Sequence, residues 1–256
     1  MSTKELFTEI YRQNTWGSEE TRSGPASSLE RTAELREALP QLFHELEIQS
    51  VLDCGSGDWN WMKTVFPVAG IQYMGVDIVD GIVTTCQEKF SADSVNFQQL
   101  DCIKDPPEQA DLWLARDFCS VLNFQQILHF FQKFLESKSK YIAITSIDTP
   151  KQNMDSLPGN IRPLNFRTAP FQMPEPIQTI PDGFQWFSRK NCIVYTRAQI
   201  LEWFATTASK IAVQQPSKVT DKPDRNAHLV SNVRLRDVRL DGHMGSSKPS
   251  LVKEVP

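Results

Sequence analysis

Apolar positions between residues 27 and 147 change period several times, and each change marks an element. Leu35, Leu39, Leu42, Phe43 and Leu46 recur at the three-and-four spacing of one helix face. Pro40 interrupts the stripe, so the pattern predicts two short helices rather than one. Ser27 and Glu30 have the spacing of a capping box at their start. Next come a strand over 50–53 and a helix from Trp59 to about Phe66. A strand over 73–78 precedes a helix over 81–90, with Ile82, Val83, Cys86 and Phe90 on one side. Strands over 95–101 and 110–115 follow. Asn123 then opens a helix whose apolar face is Phe124, Ile127, Leu128, Phe131, Phe134 and Leu135, and 141–147 is a further strand.

The strand segments read as largely continuous apolar runs, as expected of parallel strands covered on both faces. Strand and helix in alternation predict a doubly wound, mainly parallel α/β sheet with helices on both faces. Outside this region the pattern is weaker. Residues 1–26 form a polar N-terminal segment, and 149–182 a proline-rich extended loop. "FQWFSRKNCIVYT" reads as a strand pair, "RAQILEWFA" as a helix and "AHLVSNVRLRDVRL" as another strand. The domain is thus expected over 27–240, and 241–256 as a disordered tail.

Composition narrows the partners. The formal net charge is −4 with a pI near 5.6, so no nucleic-acid partner is expected. Five widely spaced cysteines lack any C-x-x-C pair, which argues against a disulfide framework and a metal site. The N-terminus has no signal-peptide pattern, and no apolar run has the length of a membrane span. The expected setting is cytoplasmic.

The chemistry concentrates in "VLDCGSGDWNWM", residues 51–62. Asp53 precedes Gly55 and Gly57 where the first strand ends, and ligands of an open parallel sheet bind beyond such strand ends. Asp77, 20 residues past Gly57, ends the second strand, where a carboxylate can accept from both hydroxyls of a ribose. Asp101 and Cys102 end the third strand, and Arg116 and Asp117 follow the fourth. Each has a structural reading too. The glycines can be plain turn residues, Asp77 a helix cap, Asp101 a solvated strand end, and Arg116 and Asp117 an ion pair. Trp59, Trp61 and Cys119 read as packing.

This ordered set resembles the class I S-adenosylmethionine-dependent methyltransferases. "VLDCGSGD" looks like their first motif, "GVDI" their ribose-binding acid, "LDCI" their adenine-flanking segment and "LWLARDF" the strand leading to the acceptor. "WGSEETRSGPASSLERT", "DWNWM", "RDF" and "RPLN…PF…PEP" look like a little-characterised, largely bacterial branch of them. The resemblance implies a Rossmann-like seven-stranded sheet and S-adenosyl-L-methionine as cofactor. It implies a cofactor site of Asp53, Gly55, Gly57, Asp58, Asp77, Ile78, Asp101, Cys102 and Arg116. The polar segment 14–26 holds one large apolar side chain, Trp16, and runs into the first helix, so it reads as a lid that orders over the cofactor, or else as a disordered leader.

Methyl transfer from a sulfonium demands alignment first, and a base only when the acceptor carries a proton. Asp117 and Asp148 are the candidate bases, because His44 and His129 fall within helices and His228 and His243 in the C-terminal part. Arg116 and Arg162 could meet an anionic group on the acceptor. The turn after strand four lacks the N/D-P-P-Y/F pattern of amino methyltransferases, which favours O-methylation of a small-molecule or glycan-like acceptor. Two other readings stay open: an NAD-type oxidoreductase, opposed by Asn60 where a third glycine would stand, and a non-catalytic nucleotide-binding module.

Overall fold

The computed structural model describes residues 1–185 and 188–213. Its first element corrects the expected polar lead: helix α1 spans Thr3–Gln13. Ser2 and Glu5 form a reciprocal capping box, and Asn14 ends the helix with φ 51°. Leu6, Phe7, Ile10 and Tyr11 make a narrow apolar stripe, of which only Ile10 is buried. A stripe this narrow among charged and polar residues is easily taken for a leader.

Helix α2 (Ala33–Glu45) runs unbroken through Pro40, against the expected break. Leu35, Leu39, Leu42 and Phe43 are all buried, so packing along one continuous stripe outweighs the proline's cost. The expected capping box is not formed. Ser27 lies in a short 3-10 turn, Pro25–Ser27, and the helix begins after Thr32 without a side-chain cap.

The remaining elements are β1 (Ser50–Cys54), β2 (Gln72–Asp77), α3 (Asp80–Phe90), β3 (Val95–Gln99), β4 (Leu112–Ala115), α4 (Phe124–Ser137), β5 (Tyr141–Ile147), β6 (Gln178–Gln185), β7 (Ser188–Thr196) and α5 (Arg197–Val213). Residues 59–66 hold only a 3-10 turn, Met62–Thr64, in place of the expected helix. Trp59 adopts φ 57° and is buried against Tyr73, Phe90 and Phe97, an arrangement helical dihedrals at that position would not permit. The proline-rich stretch ends earlier than expected, because Gln178–Gln185 is a strand. Pro181 is tolerated because β6 lies at the sheet edge.

The sheet has seven strands in the order β3-β2-β1-β4-β5-β7-β6. β1 to β5 are parallel, and β7 runs antiparallel to both β5 and β6. Side chains alternate between two cores. Val51, Tyr73, Leu112 and Leu114 pack with α2 and α3, whereas Leu52, Val76 and Trp113 pack with α4 and α5. Helices therefore cover both faces, and the carboxyl ends of β1 to β5 share one edge. The strand expected over 227–240 and the tail over 241–256 lie outside the described residues. Among the described residues no helix is long and apolar enough to cross a membrane.

Candidate active site

At that shared edge the chain leaves β1 through Gly55 (φ 72°) and Gly57 (φ 58°), dihedrals that disfavour any side chain. Gly55 and Ser56 donate their N–H groups to the Val76 carbonyl at 2.8 and 3.0 Å, fastening the turn to the end of β2. Gly57 N–H donates to Asp77 Oδ2 at 3.1 Å, and Val79 N–H to Asp77 Oδ1 at 3.0 Å. Asp77 thus braces both the glycine turn and the entry to α3. Burial pushes its carboxyl up to about 6, against the pull of those backbone donors. An ionised carboxylate offers about four acceptor positions, so two backbone bonds leave room for a diol. Asp77 and Ile78 are both partly exposed.

Asp101 is partly exposed and accepts from Ile103 N–H at 3.0 Å, shaping the turn after β3. Cys102 is buried in the core with α4, so its thiol is not presented to a ligand there. Asp53 is likewise withdrawn. It is buried and accepts from the Tyr73 hydroxyl at 2.6 Å, and desolvation lifts its carboxyl to about 7 despite that bond. Its carboxylate is thus engaged within the fold by Tyr73.

Asp58 holds the chain's own N-terminal segment. Its carboxylate accepts from Thr21 Oγ1 (2.7 Å), Arg22 N–H (2.7 Å) and Ser23 Oγ (3.0 Å), and its N–H donates to Ser23 Oγ (3.2 Å). A Cβ on Gly57 would collide with that same Ser23 hydroxyl. The second glycine is therefore required by the segment lying on it. Trp16 sits half-buried on Phe7, ring centroids 6.4 Å apart, and over Gly24.

Helix α1 crosses the strand ends. Lys4 pairs with Asp80 at 2.9 Å, and Tyr11 abuts Gly81, both at the start of α3. At the other side Thr3 accepts from Gln126 at the start of α4, at 3.5 Å, while Leu6 and Ile10 meet Gly159.

After β4 stand four charges that sequence spacing only half revealed. Arg116 is buried and donates to both oxygens of Asp182 (2.9–3.2 Å), to the Ala26 carbonyl (2.8 Å) and to Ser27 Oγ (3.4 Å). It also lies 3.2 Å from Asp117 and over the Trp61 ring. Its donors are thus engaged within the fold. Lys190, 2% exposed, reaches Asp117 at 2.5 Å and Asp182 at 3.2 Å. Burial would raise the Asp117 carboxyl, but Lys190 and Arg116 overcome that and hold it below its ordinary range. A carboxylate so stabilised is a weaker proton acceptor than a free one. Asp148 is exposed and accepts from Asn191 Nδ2 at 3.0 Å, leaving it open for that role.

No family model matches the chain, and no curated protein sequence matches it. Solved structures do. Magnesium protoporphyrin IX methyltransferase (ChlM) from Synechocystis PCC 6803 with bound S-adenosylmethionine gives a TM-score of 0.52 at 11% identity, over 77% of this chain and 98% of that one. The same enzyme with bound S-adenosylhomocysteine gives 0.52 at 11%, over 76% and 97%. Human N-acetylserotonin methyltransferase in complex with S-adenosylmethionine gives 0.49 at 16%, over 77% of this chain, which spans 60% of that enzyme's length. The chain has the class I methyltransferase fold. Its antiparallel β7, inserted between β5 and β6, sets it apart from the all-parallel 3-2-1-4-5-6 order of dinucleotide-binding sheets.

Proposed function

We propose that the chain binds S-adenosyl-L-methionine and transfers its methyl group to an oxygen of a small-molecule or glycan-like acceptor. One observation carries the reading: the glycine turn, Asp77 and Asp101 stand together at the carboxyl ends of β1, β2 and β3 of a methyltransferase fold. The residues suit the group. Asp77 keeps acceptor capacity for two ribose hydroxyls, Gly55 is exposed at a bare turn, and Asp101 with the partly buried Ile78 suits an adenine edge and face. That Synechocystis ChlM, which shares the fold, was solved with S-adenosylmethionine bound supports the same assignment.

When bound, the cofactor supplies a methyl group activated by its sulfonium. The chain's own work is then to align the acceptor oxygen with that methyl and to exclude water. Asp148, exposed at the end of β5, would take the acceptor's proton where one must leave. Helix α1, fastened at α3 and α4, would close over the strand ends as a lid. The wrong strand order and the loss of the third glycine to Asn60, which is buried and bonded to Glu20 at 2.7 Å, disfavour the oxidoreductase reading.

Methyl-labelled S-adenosylmethionine incubated with the protein and pools of hydroxylated metabolites and sugars tests the proposal. Label should pass to an acceptor fraction and disappear with Asp77→Ala. Heat stabilisation by NAD and none by S-adenosylhomocysteine would overturn it.

A further inference from the structure

Arg162 closes the loop after β5 and is only 9% exposed. Its backbone N–H and Nη1 both donate to the Ser120 carbonyl (3.1 and 3.4 Å), and Nε donates to the Met154 carbonyl (3.0 Å). The guanidinium lies 5.5 Å from the Phe124 ring centroid. Nη2 has no hydrogen-bond partner among the described residues, and the Asp155 carboxylate is 3.8 Å away, too far for one. Buried cationic donors are costly to leave unmet. Desolvation is also the main reason the Arg162 guanidinium is pulled below its ordinary range.

What stands beside that unmet donor is informative. Asp155 Oδ1 accepts from Phe124 N–H, the first residue of the 14-residue α4, at 2.8 Å, and from Ser156 N–H at 2.8 Å. A carboxylate thus already sits between a helix N-terminus and a buried arginine, held by a loop that does not quite deliver it to Nη2. The same loop exposes three large apolar side chains, Met154, Leu157 and Ile161, at 72%, 58% and 44%. They lie on the same loop as Arg162 and offer apolar surface there.

We propose that Arg162 Nη2 and Phe124 N–H form the carboxylate-binding pole of the acceptor site, which Asp155 fills while the acceptor is absent. The acceptor is then an amphipathic organic acid: its carboxylate is the anchor, and its apolar body rests on Met154, Leu157 and Ile161. The assignment rests on the methyltransferase reading, because Ser120, Phe124 and Arg162 flank the β4 and β5 ends where the acceptor would enter.

Octanoate is a suitable probe, with octanol as its uncharged counterpart, and calorimetry can be run with and without S-adenosylhomocysteine. Asp155→Asn should bind octanoate about tenfold more tightly than the unaltered protein, because the internal competitor loses its charge. Arg162→Gln should bind it about tenfold more weakly, and octanol should bind no better in either variant. S-adenosylhomocysteine affinity should be the same in all three proteins. Equal octanoate affinities, or octanol binding as tightly as octanoate, would overturn the proposal. If Arg162→Gln fails to fold, Asp155→Asn decides alone: affinity no higher than the parent's overturns it. Loss of S-adenosylhomocysteine binding in the parent would instead count against the methyltransferase reading, and the octanoate comparison would still be read without it.

Discussion

Lys190 Nζ on β7 lies 2.5 Å from Asp117 Oδ2 beyond β4 and 3.2 Å from Asp182 Oδ2 on β6. One buried ammonium therefore ties the antiparallel hairpin to the turn after β4. Replacing it leaves two carboxylates sharing Arg116 alone. Lys190→Met should lose roughly 3–5 kcal/mol of stability, the range for breaking a buried pair by removing one partner. Adding Asp117→Asn should recover part of that loss, since one uncompensated charge goes with it. Urea unfolding of the single and double variants gives both numbers, and a single-variant loss under about 0.5 kcal/mol, usual for surface positions, would contradict the arrangement.

Asp53 should make stability fall with rising pH. Burial lifts its folded-state carboxyl to about 7, whereas an unfolded aspartate titrates near ~3.9. Between those values the native state holds the extra proton, so ∂ΔG/∂pH is negative there and flat above the folded value. Asp53→Asn mimics the protonated form and removes this contribution. The variant's stability relative to the parent should therefore improve from pH 5 to pH 8. A difference that stays constant across that range would refute the assignment.

Gly57 and Ser23 should behave as a coupled pair. Gly57→Ala places a methyl group against the Ser23 hydroxyl and adds backbone strain at φ 58°. Ser23→Gly removes the obstruction and leaves the strain. The double variant should regain stability relative to Gly57→Ala, with a coupling of about 0.5–3 kcal/mol in a double-mutant cycle. Additive effects would mean that Ser23 does not lie on the turn.

The α1 lid reading predicts that S-adenosylhomocysteine slows hydrogen exchange over residues 3–13. It also predicts that deleting residues 1–13 lowers turnover while unfolding of the sheet is unchanged. The segment over 18–28 should stay protected without ligand, because Asp58 and Glu20 hold it. Equal exchange over α1 with and without ligand would remove the lid.

The parallel half of the sheet was legible because short apolar runs bounded by turn signals alternate there with helix-period stripes, and Asn123 caps α4 as expected. The errors fall where packing overrides local preference. Pro40 sits inside α2, Trp59 takes a left-handed conformation among aromatic rings, and Pro181 lies within an edge strand. In the site, the glycines and Asp77 could be read because a ligand at strand ends calls for those residue types in order. Asp182 and Lys190 could not. "PDG" reads as a turn and "RKN" as a solvated strand end, and nothing local tells that the two meet 66 and 73 residues from Arg116 and Asp117. The Thr21–Asp58 clasp is hidden for the same reason: hydrogen bonds across the chain leave no periodic trace.

The central claim, that Asp77 receives the ribose of S-adenosylmethionine or its product, is tested most directly by calorimetric titration of S-adenosylhomocysteine at pH 8, where the carboxylate is ionised. The parent protein should bind, and Asp77→Ala should bind more weakly by about 1–3 kcal/mol, the cost of hydroxyl hydrogen bonds left unmade. A parent that does not bind, or an Asp77→Ala protein that binds equally well, would contradict the account.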